Sequence, residues 1–156
     1  MQTFSNLQRN RVDPKDIVRY GLILFALIIY EALGTIYYLL PPLFGFCFAF
    51  VAAKKDPRYL WLAMCYILFY EADRGLITAS GCVFLYFYSR FIVPAIEDFI
   101  MSRFVIAVIS IMNAYLVYYA LISLIYFLFG MEPLSFSWLF IYYIAFESVI
   151  VAMVLK

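Results

Sequence analysis

The sequence predicts an all-α fold, a polytopic integral membrane protein built as a six-helix transmembrane bundle. Three observations predict it. Of 156 residues 68% are hydrophobic and 13% charged, where a soluble domain carries about 25% charged residues. The charges gather in short clusters between long apolar runs, and the basic residues fall almost wholly on one side of the resulting topology.

Residues 1–16 are polar and precede an apolar run without a small-residue cleavage site, so they read as a cytoplasmic N-terminal segment. Residues 17–156 form a single transmembrane domain. Between positions 20 and 53 the one charge is Glu31, and 34 residues exceed the roughly 20 that one upright span needs. The run therefore turns back, within 33–42, where Gly34, the Tyr37-Tyr38 pair and Pro41-Pro42 interrupt or restart a helix. Spans at 17–36 and 37–53 follow.

Lys54-Lys55-Asp56-Pro57-Arg58 makes a charged turn, flanked by Tyr59 and Trp61 as interfacial anchors. The cluster Glu71-Ala72-Asp73-Arg74-Gly75 divides the next apolar stretch into spans at 59–73 and 76–95, with one continuous helix as the competing arrangement. Glu97, Asp98 and Arg103 close that region. Residues 104–130 hold no charge and give the clearest span, 104–129, before Met131-Glu132-Pro133. A last span, 135–155, carries Trp138 near one end and Glu147 as its one charge.

Six spans with both termini cytoplasmic put Arg9, Arg11, Lys15, Arg19, Lys54, Lys55, Arg58, Arg90, Arg103 and Lys156 on the inner side and leave Arg74 outside. A four-span arrangement breaks that bias. A net charge of +1 offers no broad basic face, which excludes a nucleic-acid partner. Histidine is absent, and Cys47, Cys65 and Cys82 lack CxxC or ligand spacing, so neither a metal site nor a disulfide framework is expected. Nucleophile elbows, phosphate loops and HExxH are missing too, so no catalytic residue and no cofactor is expected.

The intramembrane polar candidates are Glu31, Glu71, Asp73, Arg74, Asn113 and Glu147. An ionisable side chain at the centre of a span costs about 2.5–3.5 kcal/mol on insertion scales, which calls for a partner or a function. Glu71 and Arg74, three apart, are placed to pair, and Asp73 points elsewhere. Glu31 and Glu147 either hold helices together by hydrogen bonds or form part of a proton or solute path. Ser110, Asn113 and Ser123 offer a weak polar stripe. Ala79-Ser80-Gly81-Cys82, with Gly75 four before Ala79, would let a helix approach its neighbour closely.

The stretch 41–85, PPLFGFCFAFVAAKKDPRYLWLAMCYILFYEADRGLITASGCVFL, resembles the rod shape-determining protein MreD family. The resemblance lies in a proline and an apolar helix, a short basic turn, a second helix ending in an acidic residue, and a glycine opening a further helix. Here those are Pro42, the turn at 54–58, Asp73 and Gly81. The sequence departs from the pattern where the family places glycines before the acidic residue, with Ala63, Met64, Leu68 and Phe69 there instead.

The resemblance implies a non-enzymatic scaffold of the bacterial inner membrane. It would bind MreC and support rod shape and peptidoglycan synthesis by cell-wall synthases, in a fold similar to the substrate-binding subunits of energy-coupling factor transporters. Carried over onto this sequence, Pro42, Asp73 and Gly81 would be helix-shaping elements, and Pro41 and Gly75 join them as helix-shaping residues by their own chemistry. A small solute transporter, or such a substrate-binding subunit, is the alternative; carboxyls converging on one aqueous pocket would favour it, and carboxyls dispersed over separate helix contacts would favour the scaffold.

Overall fold

The computed structural model describes residues 14–37, 39–54, 56–132 and 137–154, without the side chains of 14–17. Arg9, Arg11, Tyr38, Lys55, Pro133 and Lys156, the side chain of Lys15, and the ends of the first and last predicted segments lie outside the described residues.

The described chain is all-α. In order it forms α1 (Pro14–Ile36), α2 (Phe44–Lys54), α3 (Pro57–Asp73), α4 (Ser80–Phe87), a π-helical turn (Tyr88–Ile92), α5 (Val93–Phe99), α6 (Arg103–Asn113), a second π-helical turn (Ala114–Tyr118), α7 (Tyr119–Leu128) and α8 (Leu139–Val154). Backbone angles stay helical through both π turns, so 80–99 and 103–128 are each one rod. The first π turn has an evident cause. Pro94 lacks an N–H and its ring crowds the carbonyl four residues back, and the helix widens there, with Val93 N–H donating to Tyr88 O.

The sequence predicts six spans; among the described residues two helices are long and apolar enough to cross a membrane, Val18–Ile36 and Arg103–Leu128. The second predicted span shortens most. Its helix starts at Phe44 rather than 37, because each proline of Pro41-Pro42 drives the residue before it to extended backbone and Leu43 takes a positive φ of 53°. With 11 residues α2 is only about 16 Å long. The chain breaks at Arg74 and Gly75, and the rod after the break runs over 80–99, where the sequence predicts a span at 76–95. Gly75, at φ 65°, ends α3 in a Schellman arrangement, with Leu76 N–H donating to Glu71 O at 2.9 Å and Gly75 N–H to Ala72 O at 3.4 Å. Gly75 and Ala79 thus lie in a connecting turn and form no close-packing helix face, which corrects the reading from their spacing.

Short α2 occupies the middle of the molecule. It packs most extensively on α6, and also on α3 and α8, while α1 lies against α3. Small residues at Gly45, Ala49 and Ala52 permit the approach to α6, where Ala107 and Ile111 are likewise enclosed. Phe44 is fully buried, and its ring lies 4.9–6.3 Å from those of Tyr70, Tyr115, Tyr118 and Tyr119.

Contacts fix the direction of the rods. Tyr20 stacks edge-on with Tyr59, and a shared cleft joins Asp56 to Arg90 and Glu97, so these positions mark one end. Gly34, Arg74 and Gly75, which meets Tyr126, mark the other. The outward surface is apolar along its length; on α1 alone Val18, Leu22, Phe25, Ile29, Leu33 and Ile36 are exposed.

Candidate functional site

Three carboxyls, those of Glu31, Glu71 and Glu147, are fully buried. Each comes from a different helix and each meets a tyrosine hydroxyl from another.

Glu31, on α1, accepts from Tyr66 Oη at 2.8 Å and from Arg74 Nη2 at 3.1 Å. Arg74 sits just past the end of α3, half exposed, with its guanidinium 5.7 Å from the Tyr70 ring. Glu31 therefore carries the charge partner its depth demands. This corrects the expected pairing of Glu71 with Arg74: the C-terminal turn of α3 swings Arg74 toward α1, where its Nη2 lies beside Gly34. Asp73 is exposed, 4.0 Å from Arg74 Nε.

Glu71 faces the opposite way, toward the first turn of α4. Its Oε1 accepts from Gly81 N–H at 2.5 Å, Ser80 Oγ at 2.6 Å and Tyr118 Oη at 2.5 Å. A carboxyl at a helix N-terminus satisfies orphan N–H donors and meets the positive end of the dipole. Ala79, held at φ 72°, turns the chain so that Ser80 and Gly81 face Glu71. Gly81 is required here, since a Cβ would lie 2.7 Å from Ile67 Cγ2 and 3.0 Å from Glu71 Oε1. The acidic residue that engages Gly81 is thus Glu71, two positions before the Asp73 that the resemblance singles out.

Glu147, on α8, packs against the start of α2. Its Oε1 accepts from Tyr115 Oη, and the carboxyl lies against the backbone of Leu43 and Phe46 at the start of α2. A Cβ on Gly45 would stand 2.7 Å from its Oε2. Oε2 of Glu147 and Oε2 of Glu71, both buried, have no hydrogen-bond partner among the described residues.

Further hydroxyls tie down the loop before α2. Tyr30 Oη donates to Pro41 O at 2.9 Å, and the Tyr66 hydroxyl that meets Glu31 also lies against Pro42 O. Tyr70 and Tyr119 join hydroxyl to hydroxyl. Of the predicted polar stripe, Ser110 accepts from Tyr88 Oη at 2.9 Å, whereas Asn113 bonds back to Ile109 O of its own helix at 3.0 Å.

The carboxyls make separate interhelix contacts, α1 with α3, α3 with α4, and α8 with α2, with Glu31 and Glu147 near enough on either side of the loop before α2 to feel each other's charge. Among the described residues no group of three His, Cys, Asp or Glu side chains is placed to hold a metal ion. Sequence reasoning missed the tyrosines 66, 115 and 118 and the glycine 45. The signal was available: Tyr115, Tyr118 and Tyr119 recur at helical spacing inside a run without charge. Comparison with protein-family models, curated proteins and solved structures returns no match to this chain.

Proposed function

We propose that this chain is a non-enzymatic membrane scaffold of the MreD kind. It crosses the bacterial inner membrane six times with both termini cytoplasmic, and it positions other membrane proteins through its lateral helix faces. The observation that carries the reading is the dispersal of Glu31, Glu71 and Glu147: each is fully buried and spent on joining a pair of helices, which suits a rigid support.

The six-span arrangement draws support from the alternation of ends. Arg19, Lys54, Arg58, Arg90 and Arg103 belong to the end marked by Tyr20 and Tyr59, and Arg74 to the other. Trp61 and Trp138, both outward-facing, stand near opposite ends, as interfacial anchors do. The short helix α2 fits a bundle in which some segments are enclosed by others.

Affinity-tagged chain is extracted from its native membrane in mild detergent, and the proteins retained are identified by mass spectrometry. Recovery of MreC and cell-wall synthases is expected. Recovery of an ATPase pair, or of a stoichiometric small solute, would overturn the scaffold in favour of transport.

A further inference from the structure

At the basic end, three cavities adjoin around the corner between α5 and α6. The first, about 440 Å³, is lined by Lys54, Glu97, Met101 and Arg103 among others. A second, about 410 Å³, shares Ala52 and Glu97 with it and adds Ser89 and Arg90. The third, about 460 Å³, shares Ile100 with the first and is purely apolar, running past Phe91, Ile92, Ala95, Ile96 and Ile109.

We infer that this corner is a binding site for one anionic phospholipid, its phosphate between Lys54 and Arg103 and an acyl chain along the groove of Phe91, Ala95 and Ile96. The assignment rests on immersion of the chain in a bilayer, which belongs to the scaffold reading, and on nothing about its protein partners.

Charge complementarity selects the occupant. Lys54 and Arg103 flank the first cleft, both exposed, and Arg90 contributes from the second. Three cations, Lys54, Arg90 and Arg103, line the two clefts against two carboxylates, Asp56 and Glu97, and Asp56 is turned to the Arg58 backbone N–H at 2.9 Å. A basic pocket at the cytoplasmic face, opening through one isoleucine onto an apolar groove, matches a molecule with a phosphate at one end and a hydrocarbon tail at the other. A free anion would leave the groove empty, and a zwitterionic lipid gains less from the cations.

The purified full chain is delipidated in detergent and titrated, by native mass spectrometry, with phosphatidylglycerol, phosphatidylcholine and inorganic phosphate. One phosphatidylglycerol should bind in preference to either competitor. Lys54→Gln and Arg103→Gln should each weaken it about fivefold. Ala95→Trp, which fills the groove, should weaken phosphatidylglycerol and leave phosphate unchanged. Each variant is accepted only if it retains the wild-type melting temperature; Arg90→Gln serves as the replacement for one that does not.

Equal binding of both lipids, or retention of phosphatidylglycerol by the Lys54 and Arg103 variants, would overturn the site. Phosphate binding as tight as that of the lipid would replace it with a free-anion site. Resistance of the wild-type chain to alkaline extraction from membranes is scored in parallel, so loss of the lipid site is distinguishable from failure of membrane immersion.

Discussion

The Glu71 carboxyl of α3 accepts the backbone N–H of Gly81 at 2.5 Å, so one helix supplies the N-terminal cap of the next. The contact explains why the turn at 74–79 is sharp without being loose. Glycine is the residue that lets the carboxyl come so near. Gly81→Ala should lower stability by about 1–3 kcal/mol through crowding of Ile67 and Glu71. Gly21→Ala, on open helix surface, should be neutral or stabilising by up to about 1 kcal/mol. Thermal unfolding in detergent reads both, and equal effects would refute the packing argument.

Ala79 takes a left-handed backbone at φ 72°, which costs an L-residue about 1–2 kcal/mol. Ala79→Gly should remove most of that strain and raise the melting temperature, partly offset by the freedom glycine gains in the unfolded chain. A lower melting temperature would mean that the methyl group matters more than the angle.

Arg74 and Glu31 should couple. The contact is half exposed on the arginine side, so a double-mutant cycle with Arg74→Gln and Glu31→Gln should return about 0.5–1 kcal/mol. The single Arg74 change should cost more than the pair energy, because it leaves a buried carboxyl with Tyr66 alone. Additive single changes would show that the ion pair contributes nothing.

Cys65 is exposed on α3 and Cys47 is enclosed in α2. If lipid covers α3, a bulky, membrane-impermeant maleimide should leave Cys65 unmodified in sealed vesicles of either orientation. The same reagent should modify it after transfer to a short-chain detergent. Rapid labelling in vesicles would place that face in water.

Much of the helical layout was legible because it depends on where charges and turn formers stand. Glu71 to Gly75 divided two helices, and Arg103 opened a long one, as polarity alone suggests. The start of α2 was harder to place, since an apolar run does not reveal how far a proline pair holds the chain extended. The pairing of the carboxyls was less legible still. Arg74 is three residues from Glu71 and 43 from Glu31, yet the C-terminal turn of α3 directs it to the distant one. Glu147 carried a clear signal of importance as a lone charge in its helix, but its partner at Gly45 is visible only once α8 and α2 are packed.

The clasp of Glu147 on the start of α2 has a consequence for biosynthesis. Helices α3 to α7 are all translated between the two halves of that contact. Until α8 arrives, the start of α2 lacks the carboxyl that packs on it and Tyr115 lacks its acceptor. A chain halted before α8 should therefore be cleared faster in cells than one released after it, as a pulse-chase measurement would show.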